Sequence, residues 1–499
     1  MVDNIDGKFY TVPLNDQGLN LYVRVGDDKV TFGYDQNVNF LMPVTKVVEE
    51  EGNVNVYLFT KKLIEIQDGQ IQHLNHITST ELRNISMMLD GVDDGTYTNN
   101  EAHFRRKVNV DSESIKTELH THLIEILDSK RFLDLVERFN GYVRLNEQGM
   151  FDFRDGNAFT IGEIKNLPGL YDLVLSQLEI PITRAGSFEE LEVKVANRTR
   201  LLLDVADTFG NERGLGDMLE ARILVTKVLL RDSLCFLRDN DVKYVEVSHS
   251  NIKLIKGILD SLDDTFYNDI DGIDFKFLAS SSRLRPARDF RQSSRHLDEA
   301  LESGHIIGFD LMGLENRFSS ADLDDQYKDS IYNKLLPMVG VLNKYDKSVL
   351  RLHSGEFANT ETNTENILEA LVRICNALGI NIPPPEVRVG HGLHIEENKR
   401  LVDLLRAFDC IVEVNASSNF ALGHVKDLSE IPYQFYLDNG IRVVLSTDGG
   451  GFYSTSNDQE KMIASTFVDV EDLEKILESD RDIYSRKAGE VIHEKRVGR

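Results

Sequence analysis

Cysteine is scarce in this chain: Cys235, Cys375 and Cys410 are the three in 499 residues, and no two have paired spacing. That excludes a disulfide framework and a thiolate metal site, and it suits a reducing, cytoplasmic setting. No apolar run approaches the roughly 20 residues that a membrane span requires. The opening "MVDNIDGKFY" has neither a basic nor an apolar stretch, so no secretory signal is expected. Positive charge is also short. Lys and Arg number 56 against 83 Asp and Glu, a formal net charge of −27. Such a surface repels DNA and RNA, and direct nucleic-acid binding is not expected. A small anionic ligand remains open, because a local basic patch overrules the mean field within a Debye length of about 8–10 Å. There is no tandem repeat and no low-complexity tract.

What is present is an ordinary globular composition, 41% hydrophobic and 28% charged. The length accommodates one domain of about 250–400 residues and a smaller one. Residues 1–105 read as a small β-rich module: "KFYTVPL", "LNLYVRV", "KVTFGY" and "VNVYLFT" are short, β-branched or aromatic, and separated by Gly, Asp and Asn. "TELRNISMMLDG" follows as one helix, and "VDDGTYTNNEAHFRRK" as a linker.

From Thr117 the rhythm changes. Eight strand-like segments recur: "TELHTHL", "VKYVEVSH", "FKFLASSS", "IIGFDLMG", "SVLRLHSG", "EVRVGHGL", "CIVEVNAS" and "IRVVLSTD". Helical stretches such as "ENILEALVRICNALG" lie between most of them. Eight strands alternating with helices predict an α/β fold, a (β/α)8 TIM barrel over residues 106–499. The connection after the first strand, about residues 124–241, is too long for one helix and is expected to be a helical insertion.

Barrels of this kind build their sites at the C-terminal strand ends. The first strand ends in His120-Thr121-His122, the fifth in His353-Ser354-Gly355-Glu356, the sixth in Gly390-His391-Gly392 and the eighth in Ser446-Thr447-Asp448. Residues i and i+2 of a strand share a face, so His120 and His122 can both face the barrel mouth. With His353 and Asp448 they make a nitrogen/oxygen ligand set that suits Zn2+, with Fe2+, Mn2+ or Co2+ as alternatives. Glu356 is placed to move a proton, and His391 to orient or deprotonate water. A lone histidine on an apolar strand is more often a satisfied core residue. Four strand ends bearing histidine or carboxylate are hard to explain by packing. His249 and His394 are weaker candidates behind the ligands, and the other histidines, His424 among them, read as surface or structural.

The segments "LHTHL", "GFDLMGLE", "HSGE", "VGHGLHI", "EVNASSN" and "LSTDGG" stand in one order across roughly residues 115–490. In this set the chain resembles the adenosine/AMP deaminase family of metal-dependent amidohydrolases. The resemblance implies one Zn2+ per chain on His120, His122, His353 and Asp448. It also implies Glu356 as the acid at a purine ring nitrogen, His391 as a partner of the attacking water, and Gly313 as the glycine whose backbone approaches the purine. The implied reaction is hydrolysis of the 6-amino group of adenosine or an adenine nucleotide such as AMP or ATP, to the inosine form and ammonia.

The chain departs from that family twice. The family usually continues its first motif as HxHLDG, with the Asp near the ribose. Here the residues are Leu123, Ile124 and Glu125. The family also reads S-x-D-D-P or T-D-D-P at the eighth strand, its second Asp holding a ring nitrogen. Here Asp448 is followed by Gly449, Gly450 and Gly451. A further stretch, "SSRLRPARDFRQSSRH", sets Arg283, Arg285, Arg288, Arg291 and Arg295 against Asp289. Arginine forks bind phosphate, so Arg283, Arg285 and Arg288 are candidates for a phosphate clamp. The glycines from Gly449 could let backbone N–H groups approach an anion. A solvated helix start or subunit contact is the plain alternative for the arginines. A non-purine amidohydrolase, or a nucleoside-binding or assembly protein with weak catalysis, is the alternative for the whole chain. Self-association or a partner contact would fall to the N-terminal module.

Overall fold

The computed structural model describes residues 116–487, apart from 168, 181–185, 216, 316–326, 347 and 381–384, together with the backbone of eight strands before residue 75. Eight barrel strands pair in sequence order, all parallel: Lys116–His122, Val242–His249, Asp274–Ser282, Ile306–Met312, Val349–Ser354, Glu386–His391, Ile411–Val414 and Arg442–Leu445. All eight coincide with the expected segments. The ring closes through the ends of the first and last strands. Asp448 N–H donates to the His120 carbonyl at 3.0 Å, and His122 N–H to the Asp448 carbonyl at 3.2 Å. The closing seam is therefore made by residues singled out as metal ligands.

Parallel strands buried on both faces need an outer layer, and helices supply it. Leu350, Leu352, Val387, Val389, Val412, Val414, Val443 and Leu445 face outward into one apolar cluster beneath the helices. The helix Asn363–Leu378 stops on Gly379, at φ 66°, a left-handed conformation that costs glycine little. The long connection after the first strand carries the helices Ser129–Arg138, Ile161–Lys165, Leu170–Ser176, Phe188–Arg213 and Met218–Asp239. It also holds an antiparallel hairpin, Tyr142–Leu145 with Asn157–Thr160, which a purely helical insertion did not anticipate. Arg198, fully buried on the fourth of these helices, donates to the carbonyls of Leu178, Ile124 and Leu127 at 2.7–2.8 Å. The insertion thereby grips the turn that follows the first strand.

The inward faces are charged. Arg388 pairs with Glu246 at 2.7 Å, Glu386 at 2.6 Å and Glu413 at 3.1 Å. Arg351 pairs with Glu413 at 2.7 Å and Asp310 at 3.6 Å. Burial alone would push Glu386 up, but Lys487, Arg388 and Arg486 hold it well below the usual carboxylate range. Two of these charges sit at an alternate strand position on the same face as a residue of the strand end: Arg351 with His353 and Arg388 with Gly390.

Before the barrel, two four-stranded antiparallel meanders occur. One comprises Lys8–Pro13, Asn20–Val25, Val30–Tyr34 and Val38–Met42, and the other Thr45–Glu50, Asn53–Leu58, Lys61–Gln67 and Gln70–Leu74. The β-rich reading of that region found four of these strands. The expected helix "TELRNISMMLDG" and its linker lie outside the described residues.

Breaking a buried ion cluster by removing one member leaves its partners uncompensated, at about 3–5 kcal/mol. Arg388→Met should therefore lose about that much unfolding free energy in denaturant titrations of the metal-free protein. A second expectation concerns pH. Glu118 and Glu460 hold the backbone N–H groups of Thr447 and of Ala416 and Ser417, and burial pushes them up to about 8 and about 7. Each stays protonated in the fold where the unfolded chain has already ionised. Their stabilisation is therefore complete below the unfolded value of 4.5 and is lost as pH rises through about 7 to 8. The double variant Glu118→Gln, Glu460→Gln should show a flatter decline of stability between about pH 5 and pH 8 than the parent.

Candidate active site

Strand ends from around the ring converge as their positions require. One donor atom each from His120, His353, His391 and Asp448 lies within 4.8 Å of the others, and a second group of the same compactness joins His122, Asp310 and His353. Asp448 Oδ1 stands 3.5 Å from Nε2 of both His120 and His122. The structure thus gathers all four expected ligands and brings His391 in beside them. Of His120, His122, His353 and His391, His122 is the most open, 17% exposed at its side chain.

The imidazoles are held from behind. His120 Nδ1 lies 2.8 Å from Glu413 Oε2, and His353 Nδ1 lies 3.0 Å from Asp310 Oδ1. An ionised carboxylate only accepts, so each Nδ1 carries the proton and each Nε2 presents a lone pair. Those two Nε2 atoms face each other at 3.0 Å. Opposed lone pairs at that distance repel unless a proton or a metal cation lies between them. Burial, then the neighbouring His353, drives the His120 pKa well down, whereas Asp310 outweighs burial and raises His353. His391 donates from Nδ1 to Asn419 Oδ1 at 3.0 Å, and its buried Nε2 has no hydrogen-bond partner among the described residues. These observations fit a catalytic cation whose residents are nitrogen and oxygen donors.

Backbone geometry serves the same end. His391 and Asp448 adopt φ of 68° and 64°, left-handed conformations that cost a non-glycine residue about 1–3 kcal/mol. Gly390 has to be glycine, because a Cβ there would fall 2.6 Å from His120 Cε1.

Glu356 sits at the rim, 3.9 Å from His391 Nε2 and 3.5 Å from His424 Nε2. Burial would raise it, yet His391 and His424 hold it well below the usual carboxylate range, so it starts as a proton acceptor. Its loop is fixed by Glu315, whose carboxylate accepts from Ser354 Oγ at 3.0 Å and from the N–H groups of Gly355 and Glu356 at 3.1 Å. Gly313, at φ 96°, lies against Ser282.

The arginines are divided. Arg283 is buried and donates to the His353 carbonyl, with Glu315 at 3.7 Å, so it braces the ligand loop. Arg285 and Arg288 are exposed, Arg288 beside Asp289 at 3.6 Å. In the glycine loop, Gly451 N–H is spent on the Ile126 carbonyl at 3.0 Å, and a Cβ on Gly449 would collide with Glu125. His249 accepts from Asn251 N–H at 3.0 Å and is lowered to about 4 by burial and His122. His394 Nε2 faces the His424 carbonyl at 3.0 Å.

Several residues at the site escaped the sequence reading: Asp310, Glu413, Glu315, Asn419 and His424. Asp310, Glu315, Glu413 and Asn419 were available in principle, as polar residues inside apolar strands or the motifs beside them.

The fold is a (β/α)8 barrel whose strand ends gather nitrogen and oxygen donors that could hold a metal ion. The family model for adenosine deaminase matches residues 240–476. The chain is 27% identical over 173 residues to an adenosine deaminase of Enterococcus faecalis, a match spanning 34% of this chain and 43% of that protein. With an adenosine deaminase of Plasmodium knowlesi the identity is 24% over 371 residues, 73% of this chain and 84% of that protein. A solved Arabidopsis N6-mAMP deaminase is similar at TM-score 0.48 and 15% identity, covering 74% of this chain and 92% of that one. The matched residues resemble an adenosine deaminase domain, and the chain spans less than half the length of the Enterococcus faecalis relative.

Gly390→Ala should displace the His120 ring and His120→Ala should remove it. Both variants are expected to copurify with less than about a tenth of the parent's bound metal, since loss of ligand orientation costs about 10–100-fold in affinity. Elemental analysis after dialysis against a weak chelator measures this.

Proposed function

We propose that the chain is a zinc-dependent hydrolytic deaminase that removes the 6-amino group of adenosine or an adenine nucleotide. The observation that carries the reading is the pair of Nε2 atoms held 3.0 Å apart by Glu413 and Asp310, with Asp448 beside them and Glu356 across from them. His120, His122, His353 and Asp448 would hold the zinc, which supplies Lewis acidity and acidifies water towards a pKa of about 7.

The chain's own groups do the rest. His391, its Nδ1 proton committed to Asn419, offers Nε2 to the attacking water and orients it towards C6. Glu356 begins ionised, takes a proton from the attacking water, and delivers it to the adjacent ring nitrogen as the water oxygen bonds C6. The remaining water proton passes to the amino group, the C6–N bond breaks, ammonia leaves, and C6 is left as the carbonyl of the inosine form. Buried donors and a dry wall favour the tetrahedral species over the planar base. Phe357, 4.7 Å from the His424 ring, and Phe188 of the insertion, 5.0 Å from Phe357, provide part of that wall.

With Arg283 engaged behind His353, a nucleotide's phosphate is left to Arg285 and Arg288 on the exposed helix start. Residues 106–499 form the catalytic unit in this reading, and residues 1–105 a module for self-association or a partner. Three free cysteines fit a cytoplasmic setting, and no described helix is long and apolar enough to cross a membrane.

The test is a substrate panel of adenosine, AMP, ADP and ATP with the zinc-loaded protein, read as loss of adenine absorbance. Glu356→Gln should keep its zinc and lose about 10²–10⁴-fold in kcat. Arg285→Ala should impair nucleotides and spare adenosine. Turnover of non-purine amides alone would overturn the reading.

A further inference from the structure

His424 lies on the turn that follows the helix Ala416–Ala421. Its side chain is 8% exposed, and its buried Nε2 has no hydrogen-bond partner among the described residues. That nitrogen stands 3.5 Å from Glu356 Oε1, and the equally unpartnered Nε2 of His391 stands 3.9 Å from the same oxygen. Phe357, next to Glu356 in the chain, meets the His424 ring edge-on at 4.7 Å, and Phe188 of the insertion is 6.5 Å away. The imidazole is thus packed between the loop of the fifth strand and the insertion, with one nitrogen directed at the carboxyl that handles the proton.

Backbone links fix that ring relative to Glu356. His424 N–H donates to the carbonyl of Asn419 at 2.9 Å, and the Asn419 side chain holds His391. His394 joins both partners. Its Nε2 donates to the His424 carbonyl at 3.0 Å, and its N–H to the Gly355 carbonyl at 2.6 Å, one residue before Glu356. From the insertion, Gly186 N–H donates to the Ala421 carbonyl at 2.6 Å. Packing does not call for a nitrogen at 424, since an aliphatic side chain fills the space beside two phenylalanines as well. A buried imidazole nitrogen left unbonded is costly, and a group of that kind persists where it has a task.

We propose that His424 is a positioning residue for Glu356: its Nε2–H donates to Oε1 and leaves the other carboxyl oxygen to the purine ring nitrogen. The assignment rests on the deaminase reading above. A neutral imidazole carries its single proton on either nitrogen, so the contact needs no change of charge. The terminal torsion of a glutamate is broad and two-fold, and an unheld carboxylate turns about it. A donor on Oε1 removes that freedom, while His391 keeps its own Nε2 for the attacking water. The contact tightens from 3.5 Å when substrate fills the site, as catalytic hydrogen bonds that are long in unliganded enzymes do.

The test measures kcat and KM on the adenine compound that the zinc-loaded parent turns over best. The variants are His424→Leu, His424→Gln, Glu356→Gln, and Glu356→Gln combined with His424→Leu. Thermal midpoints and zinc content serve as controls for folding and loading. His424→Leu, which packs but donates nothing, should lose about 10- to 10²-fold in kcat with KM within about 3-fold of the parent. His424→Gln, whose amide N–H can take the place of Nε2–H, should keep at least about a third of the parental kcat. In the Glu356→Gln background the leucine change should cost less than about 3-fold, because the group it positions no longer transfers a proton. Where His424→Leu fails to fold, His424→Met takes its place in both backgrounds. If the variant without a donor keeps the parental kcat, if His424→Gln falls as far as it does, or if its cost is the same with and without Glu356, the His424 assignment falls while the deaminase reading stands. If the parent deaminates no adenine compound, both fall.

Discussion

Two imidazole nitrogens held 3.0 Å apart cannot both be lone pairs without something positive between them. That constraint organises the interior of this barrel. Each ring is pinned through its far nitrogen by a carboxylate, Glu413 or Asp310, and those carboxylates are pinned in turn by Arg351 and Arg388. The arginines also engage Glu246, and Arg388 reaches Glu386 at the opposite strand end. A continuous set of buried charges runs from the start of the strands to the ligands. Burying so many ions is a poor route to stability. It is a good route to orientation, since each side chain is bonded in more than one direction and cannot rotate without losing a partner.

Strain is concentrated at the same place. His391 and Asp448 take left-handed backbone conformations, and Gly390 leaves room for the His120 ring by carrying no side chain. The apolar layer beneath the helices offsets these costs. It is the one part of the barrel with no evident chemical duty, and it contains most of the aliphatic strand residues.

The sequence made the barrel legible because alternate strand residues are aliphatic and the strands recur between amphipathic helices. The candidate site residues were legible for a related reason: His120, His122, His353, His391 and Asp448 all fall where a strand ends, and a strand end in this architecture has one location. Glu413 and Asp310 were harder to interpret. A carboxylate in mid-strand identifies no partner until the ring closes and sets it against a particular imidazole. The arginine-rich stretch looked uniform in sequence, yet burial separates Arg283, which braces the ligand loop, from Arg285 and Arg288, which remain exposed. The hairpin Tyr142–Leu145 with Asn157–Thr160 was hidden by the helical periodicity on both sides of it. His424 gave no sequence signal, since neither a strand end nor a motif marks it, and only the fold brings it to Glu356.

The pairing of Glu125 with Gly449 shows what barrel closure permits. These residues belong to the first and last strand ends, which are distant in sequence and adjacent only because the seam joins His120 and His122 to Asp448. Arg198 secures the turn at Ile124 and Leu127, and the Gly451 N–H bonds the Ile126 carbonyl, so both loops have a fixed backbone. Motif comparison alone counts two departures here. Closure of the barrel brings them into contact, so that Glu125 fills the space a side chain on Gly449 would need.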